Sequence, residues 1–149
     1  LYLQNGGLEE WIADSPVGFN FEPSNLKPTK DADVKVSGSF SALFKLPANS
    51  KVAMRTTVQS GGKPFSVSAS IRLQSPDEKD LNATIVCVAL DAAGKPIGGE
   101  VATTPFGSQR VWRKLKLTVK PVKGAASYQI EFRFSGQGSA WIDEISVDE

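Results

Sequence analysis

Hydrophobic and polar residues alternate along most of this chain. From Ala126 it reads ASYQIEFRF, with Tyr128, Ile130, Phe132 and Phe134 on one parity and Ser127, Gln129, Glu131 and Arg133 on the other. A period of two is the mark of a strand with one buried face. Ser135-Gly136-Gln137-Gly138-Ser139 reads as a turn, because glycine reaches positive φ without a Cβ penalty. AWIDEISV follows, so the pattern predicts a closing hairpin. Within it, Trp141 shares parity with Asp143, Ile145 and Val147, which places its ring in the core.

Earlier segments repeat the alternation. Phe65, Val67, Ala69, Ile71 and Leu73 oppose Ser66, Ser68, Ser70, Arg72 and Gln74, giving a second one-faced strand. Val52, Met54, Thr56 and Val58 share a parity, and Phe40 to Leu46 forms a separate strand ended by a turn over Ala48 to Ser50. Val111 to Val119 puts Leu115, Leu117 and Val119 inward and Lys114, Lys116 and Thr118 outward. Ala83 to Asp91 is apolar on both parities, as in a strand covered on both faces. Val34 to Val36 and Ile97 to Thr103 are weaker strands. Pro23 to Asp33, Ser75 to Leu81 and Pro105 to Ser108 read as loops, the first two as the most flexible parts of the chain. No segment keeps a helical period. Roughly ten short strands between Gly, Pro, Asn and Ser turns predict an all-β protein, an antiparallel sandwich or barrel.

Composition removes several function classes. The 149 residues suit one domain with a real core. Seventeen lysines and arginines against 16 acids leave a net charge of +1, with no basic stripe for nucleic acid. The longest apolar run, Ile85 to Leu90, is far short of a membrane span. Histidine is absent, which removes the commonest general base and most zinc sites. Cys87 is the single cysteine and lies in an apolar run, so it reads as a small buried hydrophobe. Asp143 and Glu144 are adjacent, point to opposite faces of a strand and make no acid–base pair. The glycine pairs lack a phosphate-loop context and there is no G-x-S-x-G motif. A noncatalytic protein is expected. The chain starts at Leu1 rather than methionine, as a processed product or a piece of a longer protein would.

Three ordered pieces resemble carbohydrate-binding modules with the galactose-binding-like jelly roll. Asn5-Gly6-Gly7-Leu8-Glu9 with Trp11 is similar to their NGGFE…W opening. Gly62-Lys63-Pro64-Phe65-Ser66-Val67-Ser68-Ala69-Ser70-Ile71-Arg72 is similar to their GK-x-Y-x-V-S-A-x-V-R strand. Trp112, Pro121, Gly124 and Trp141-Ile142-Asp143-Glu144-Ile145-Ser146-Val147 resemble their W…P…G…W-I-D-D-V-S-V close. Leu8, Phe19, Phe65 and Glu144 depart from the usual residues, and all but Glu144 keep an apolar body.

The resemblance implies a jelly-roll β-sandwich of two antiparallel sheets spanning residues 1–149. It further implies a glycan-binding module of a secreted, cell-surface or periplasmic protein, with other domains of that protein as neighbours. The competing reading is a structural or protein-interaction jelly roll without a sugar site, and exposed aromatic rings on a concave face or at loop tips separate the two. The resemblance also implies that Glu9 and Asp143 lie close together and help hold a structural calcium, with carbonyls near Gly7 and Lys35 to Ser39 as further ligands. Arg72, Gln74, Gln129, Glu131 and Arg133 form a polar platform for hydroxyl-rich ligands if their strands are neighbours; an ordinary wet sheet face carries the same residues. Trp112 lies on the parity opposite Leu115 and Leu117. Either a bulge turns it inward, as the resemblance implies, or its ring faces out and can stack on a sugar.

Overall fold

The computed structural model describes residues 1–76, 80–107 and 110–149. Among these there is no helix. The strands are β1 (Trp11–Ile12), β2 (Ser15–Pro16), β3 (Asn20–Glu22), β4 (Thr29–Asp31), β5 (Ser41–Gln59), β6 (Phe65–Gln74), β7 (Asn82–Leu90), β8 (Pro96–Ala102), β9 (Phe106–Gly107), β10 (Arg113–Val119) and β11 (Ser127–Asp148). All pairings are antiparallel. Part of the Ser75 to Leu81 segment, and Ser108 of the next loop, lie outside the described residues.

The two longest strands each serve both sheets. β5 pairs with β11 from Ser127↔Gln59 to Ile142↔Ala42, with a register shift between Gly136 and Gly138. On the front sheet, the first half of β11 lies between the second half of β5 and β7; β3 flanks β5, and β8 and β9 flank β7. On the back sheet, the second half of β11 lies between the first half of β5 and β6; β4 flanks β5 and β10 flanks β6. The result is a jelly-roll β-sandwich.

The expected hairpin turn at 135–139 is therefore a bend inside one strand. The two halves of β11 lie in different sheets and do not pair with each other. The expected turn at 48–50 is the matching bend in β5, since Gly136 faces Ser50 and Gly138 faces Leu46. Glycine is needed here for two reasons. Gly136 and Gly138 have φ of 120° and 138°, and a Cβ on either would run into the backbone at Asp80 or Gln74. Three smaller expectations also fail: β4 forms inside the Pro23–Asp33 segment, Val34 to Val36 is loop, and Phe106–Gly107 pairs with β7.

Inward positions of both sheets make one core. Ring pairs cross it from front to back: Phe134 with Phe44 at 5.3 Å, Tyr128 with Phe65 at 4.9 Å, and Phe21 with Phe44 at 6.0 Å. Each is worth about 0.5–1.5 kcal/mol beyond its burial. Cys87 is free and buried in this core, which pushes its thiol up to about 11. The opening segment closes against the end of β11, where the Ile145 amide donates to the Gly6 carbonyl at 2.8 Å.

Candidate functional site

Parity carries through the bend of β11. Tyr128 to Phe134 point inward on even numbers, and so do Ala140 and Ile142. Gln129, Glu131 and Arg133 therefore face out of the front sheet, and Trp141 and Asp143 face out of the back sheet. What lies above these two outer faces differs.

The front face is open. A recess of about 540 Å³ lies over the middle of β5, the first half of β11 and the start of β7, with Lys51, Ala53, Arg55, Glu131, Arg133 and Thr84 along its floor and Glu22 and Pro23 on one wall. Glu131 is 4% exposed and is the hub of its charges. It accepts from Arg55 Nε at 3.0 Å and from Arg133 at 3.2 Å, and Arg133 reaches across β7 to Glu100 at 2.8 Å. Burial pushes the Glu131 carboxyl up, but hydrogen bonds and charge from Arg55 and Arg133 outweigh it, so the net shift is downward. The fixed carboxylate holds two guanidinium groups in place along the recess, where their remaining N–H donors suit oxygen acceptors. Gln129 continues the row toward the β5 terminus, opposite Thr57.

The back face is roofed. The segment after β4 crosses over Trp141 and Asp143. Trp141 is 7% exposed, yet it lies outside the core; its indole N–H donates to Asp31 at 2.8 Å and Arg72 stacks on its ring at 5.2 Å. The expectation that parity puts Trp141 in the core is thus corrected: it is buried, but from outside. A bulge between Asp143 and Ser146, with Glu144 at φ 47°, then turns Ile145 into the core.

Arg72 and Gln74 belong to this back sheet, opposite Trp141 and Ser139. They do not join Gln129, Glu131 and Arg133, so the five residues form no single platform. β6 does neighbour β11, but only its second half. Trp112 precedes β10 and is half-buried outside the core. Carrying the β10–β6 register one residue past Arg113↔Ile71 sets it opposite Arg72. No bulge turns it inward.

Glu9 and Asp143 do meet the same loop. Asp143, fully buried, accepts from the amides of Val36 at 2.9 Å, Ser37 at 3.3 Å and Glu144 at 2.8 Å. Glu9 accepts from the amides of Ser39 and of Phe40, the latter at 2.9 Å. Burial pushes the Asp143 carboxyl up and the Glu144 charge adds to it, while the amide hydrogen bonds only partly oppose. No lysine or arginine contributes to that balance. A bound cation would offset the charge of this buried carboxylate, and Glu9, held by amides of the same loop, is the second carboxylate there. Among the described residues no three His, Cys, Asp or Glu side chains cluster, so main-chain oxygens would have to complete the set.

Sequence reading missed Arg55 and Glu100, which complete the front network, and Asp31, which holds the roof. The Val52–Val58 parity signalled that Arg55 faces out; nothing local signalled Asp31, whose partner is 110 residues away.

No protein-family model matches the chain, and no curated protein matches it in sequence. Solved structures match its fold. TmCBM61 in complex with β-1,4-galactotriose superposes with a TM-score of 0.69 at 14% identity, covering 99% of this chain and 98% of that one. The CBM22-1 xylan-binding domain of Paenibacillus barcinonensis Xyn10C gives 0.68 at 13% identity, over 91% and 88%. The enzymatically active domain of bacteriophage CBA120 tailspike protein 4 gives 0.72 at 16% identity; the match covers 97% of this chain but 21% of that one. The chain therefore has the jelly-roll β-sandwich fold of carbohydrate-binding modules.

Proposed function

We propose that this domain is a noncatalytic glycan-binding module of an extracytoplasmic protein, and that the recess on the open face of the front sheet holds the sugar. The observation that carries this reading is the recess itself: about 540 Å³, within the usual ligand-site range of about 300–1,000 Å³, with guanidinium donors fixed over a buried carboxylate. Matched structures that are modules of the same length, or parts of longer chains, support a modular role. Among the described residues no helix is long and apolar enough to cross a membrane. The test is affinity electrophoresis in galactan or xylan gels with a glycan array. Retardation that Arg133→Ala abolishes supports the reading; no binding to any glycan at millimolar concentration defeats it.

One observation favours the second reading, a protein-interaction module: no exposed aromatic ring lines the recess, since Phe134 is 1% exposed. The same electrophoresis separates the two.

Calcium is part of the proposal. Glu9 and Asp143 would hold it with carbonyls of the 34–40 loop, and its charge would offset the buried Asp143 carboxylate. Its role would be structural, tying the opening segment, the roof and the closing strand together. Thermal unfolding with calcium and with chelator tests this.

A further inference from the structure

Beside the front recess lies a second groove of about 400 Å³, lined by Tyr2, Gln4, Asn20, Thr57 and Gln59 among others. The two are adjacent along β5 and share no lining residue. Arg55 of the recess pairs with Asn20 of the groove, and Thr57 and Gln59 follow Arg55 on the same outward parity. From Lys51 to Gln59, β5 runs about 26 Å at about 3.3 Å per strand residue.

The lining chemistry changes along this line. The recess is charged; the lining of the groove carries amides, hydroxyls and one ring but no charge. Amides and hydroxyls both donate and accept, as sugar hydroxyls do. Tyr2 is 77% exposed, the most exposed large hydrophobic side chain among the described residues. Its backbone is held in place. Leu1 and Leu3 on either side pack against the core, and Asn5 donates to the Glu10 and Val17 carbonyls at 2.8 and 2.9 Å. An exposed flat ring on an anchored backbone loses little freedom when a ligand covers it.

From this we infer that recess and groove form one trough, and that Tyr2 is the stacking platform for an uncharged pyranose of a glycan chain threading it. The inference rests on the glycan reading above and adds to it the direction of the chain, the stacking residue and the neutral character of the sugar at that end. Binding strengthens with chain length until the groove is filled.

The test is calorimetric titration with β-1,4-galacto-oligosaccharides and xylo-oligosaccharides of increasing length, on wild type, Tyr2→Ala and Tyr2→Phe. The expected result is an affinity that rises beyond the trisaccharide. Tyr2→Ala then loses about tenfold on the longest oligosaccharide, or about 1.4 kcal/mol, and nothing on the disaccharide. Tyr2→Phe retains wild-type affinity. Wild-type binding that Tyr2→Ala leaves unchanged at every length overturns the inference and leaves the glycan reading standing. A wild type that binds no member of either series overturns the inference, and the glycan array then decides the glycan reading.

Discussion

The outer faces of the two sheets are built from the same two strands, yet one is open and the other covered. On the front face Glu131 is buried by its own neighbours, Arg55 across the sheet and Arg133 two residues along the same strand. On the back face Trp141 and Asp143 are buried by a distant segment that supplies an indole acceptor at Asp31 and amides at Val36 and Ser37. A lateral ion network leaves the space above it free for a ligand. A roof fills that space and turns outward residues into structural ones. The space above the Glu131 network is open, whereas the space above Trp141 and Asp143 is closed by the roof.

The largest effect is expected under the roof. Trp141→Ala removes a large buried side chain and the partner of Asp31, and should cost roughly 3–5 kcal/mol in denaturant unfolding. Its glycan affinity, measured where it is still folded, should match wild type. A loss below 1 kcal/mol would mean that the roof is not a structural layer.

Calcium sharpens the same contrast. Saturating calcium should raise the melting temperature by several degrees relative to chelator, since the unfolded chain lacks the site. Glu9→Gln should remove most of that difference. Equal melting temperatures in both conditions would leave the five amide donors as the whole of the arrangement.

The two buried carboxylates should answer pH in opposite senses. The Glu131 carboxyl is lowered from 4.5, so its stabilisation is present above that value and is lost as pH falls through the folded value. Asp143 is raised from 3.8, so without an ion its ionised form costs stability near neutrality, and that cost fades as pH falls through the raised value. Glu131→Gln should cost about 1–3 kcal/mol near neutrality, because the arginines lose a charged partner while remaining partly solvated. It should also flatten the acid limb of the stability profile. An acid limb as steep as wild type would assign that loss to other groups. The smallest effect is Tyr2→Ala, within about 0.5 kcal/mol of wild type in unfolding because the ring is exposed.

The alternation at Phe65–Leu73 and Tyr128–Phe134 gave strand, inner face and sheet type directly, because a strand's own backbone fixes its parity. It did not tell a bend from a turn at 135–139, since glycine at positive φ serves both. The platform of Arg72, Gln74, Gln129, Glu131 and Arg133 was conditional on neighbouring strands, and β6 adjoins only the second half of β11. Burial of Trp141 was legible, but not its side, because the roof reaches it from Asp31 and no local pattern encodes so distant a contact. Glu9 and Asp143 accept amides of one loop, a contact that no local pattern of the sequence encodes.

The claim that the front face binds glycan is tested most directly by a paired substitution. Arg133→Ala lies in the front recess; Lys116→Ala lies in a groove on the back sheet, on β10. Affinity electrophoresis in galactan or xylan gels, run on both with wild type, should show wild type and Lys116→Ala retarded alike and Arg133→Ala running free. Retardation lost in Lys116→Ala and kept in Arg133→Ala would place binding on the back face and contradict the account.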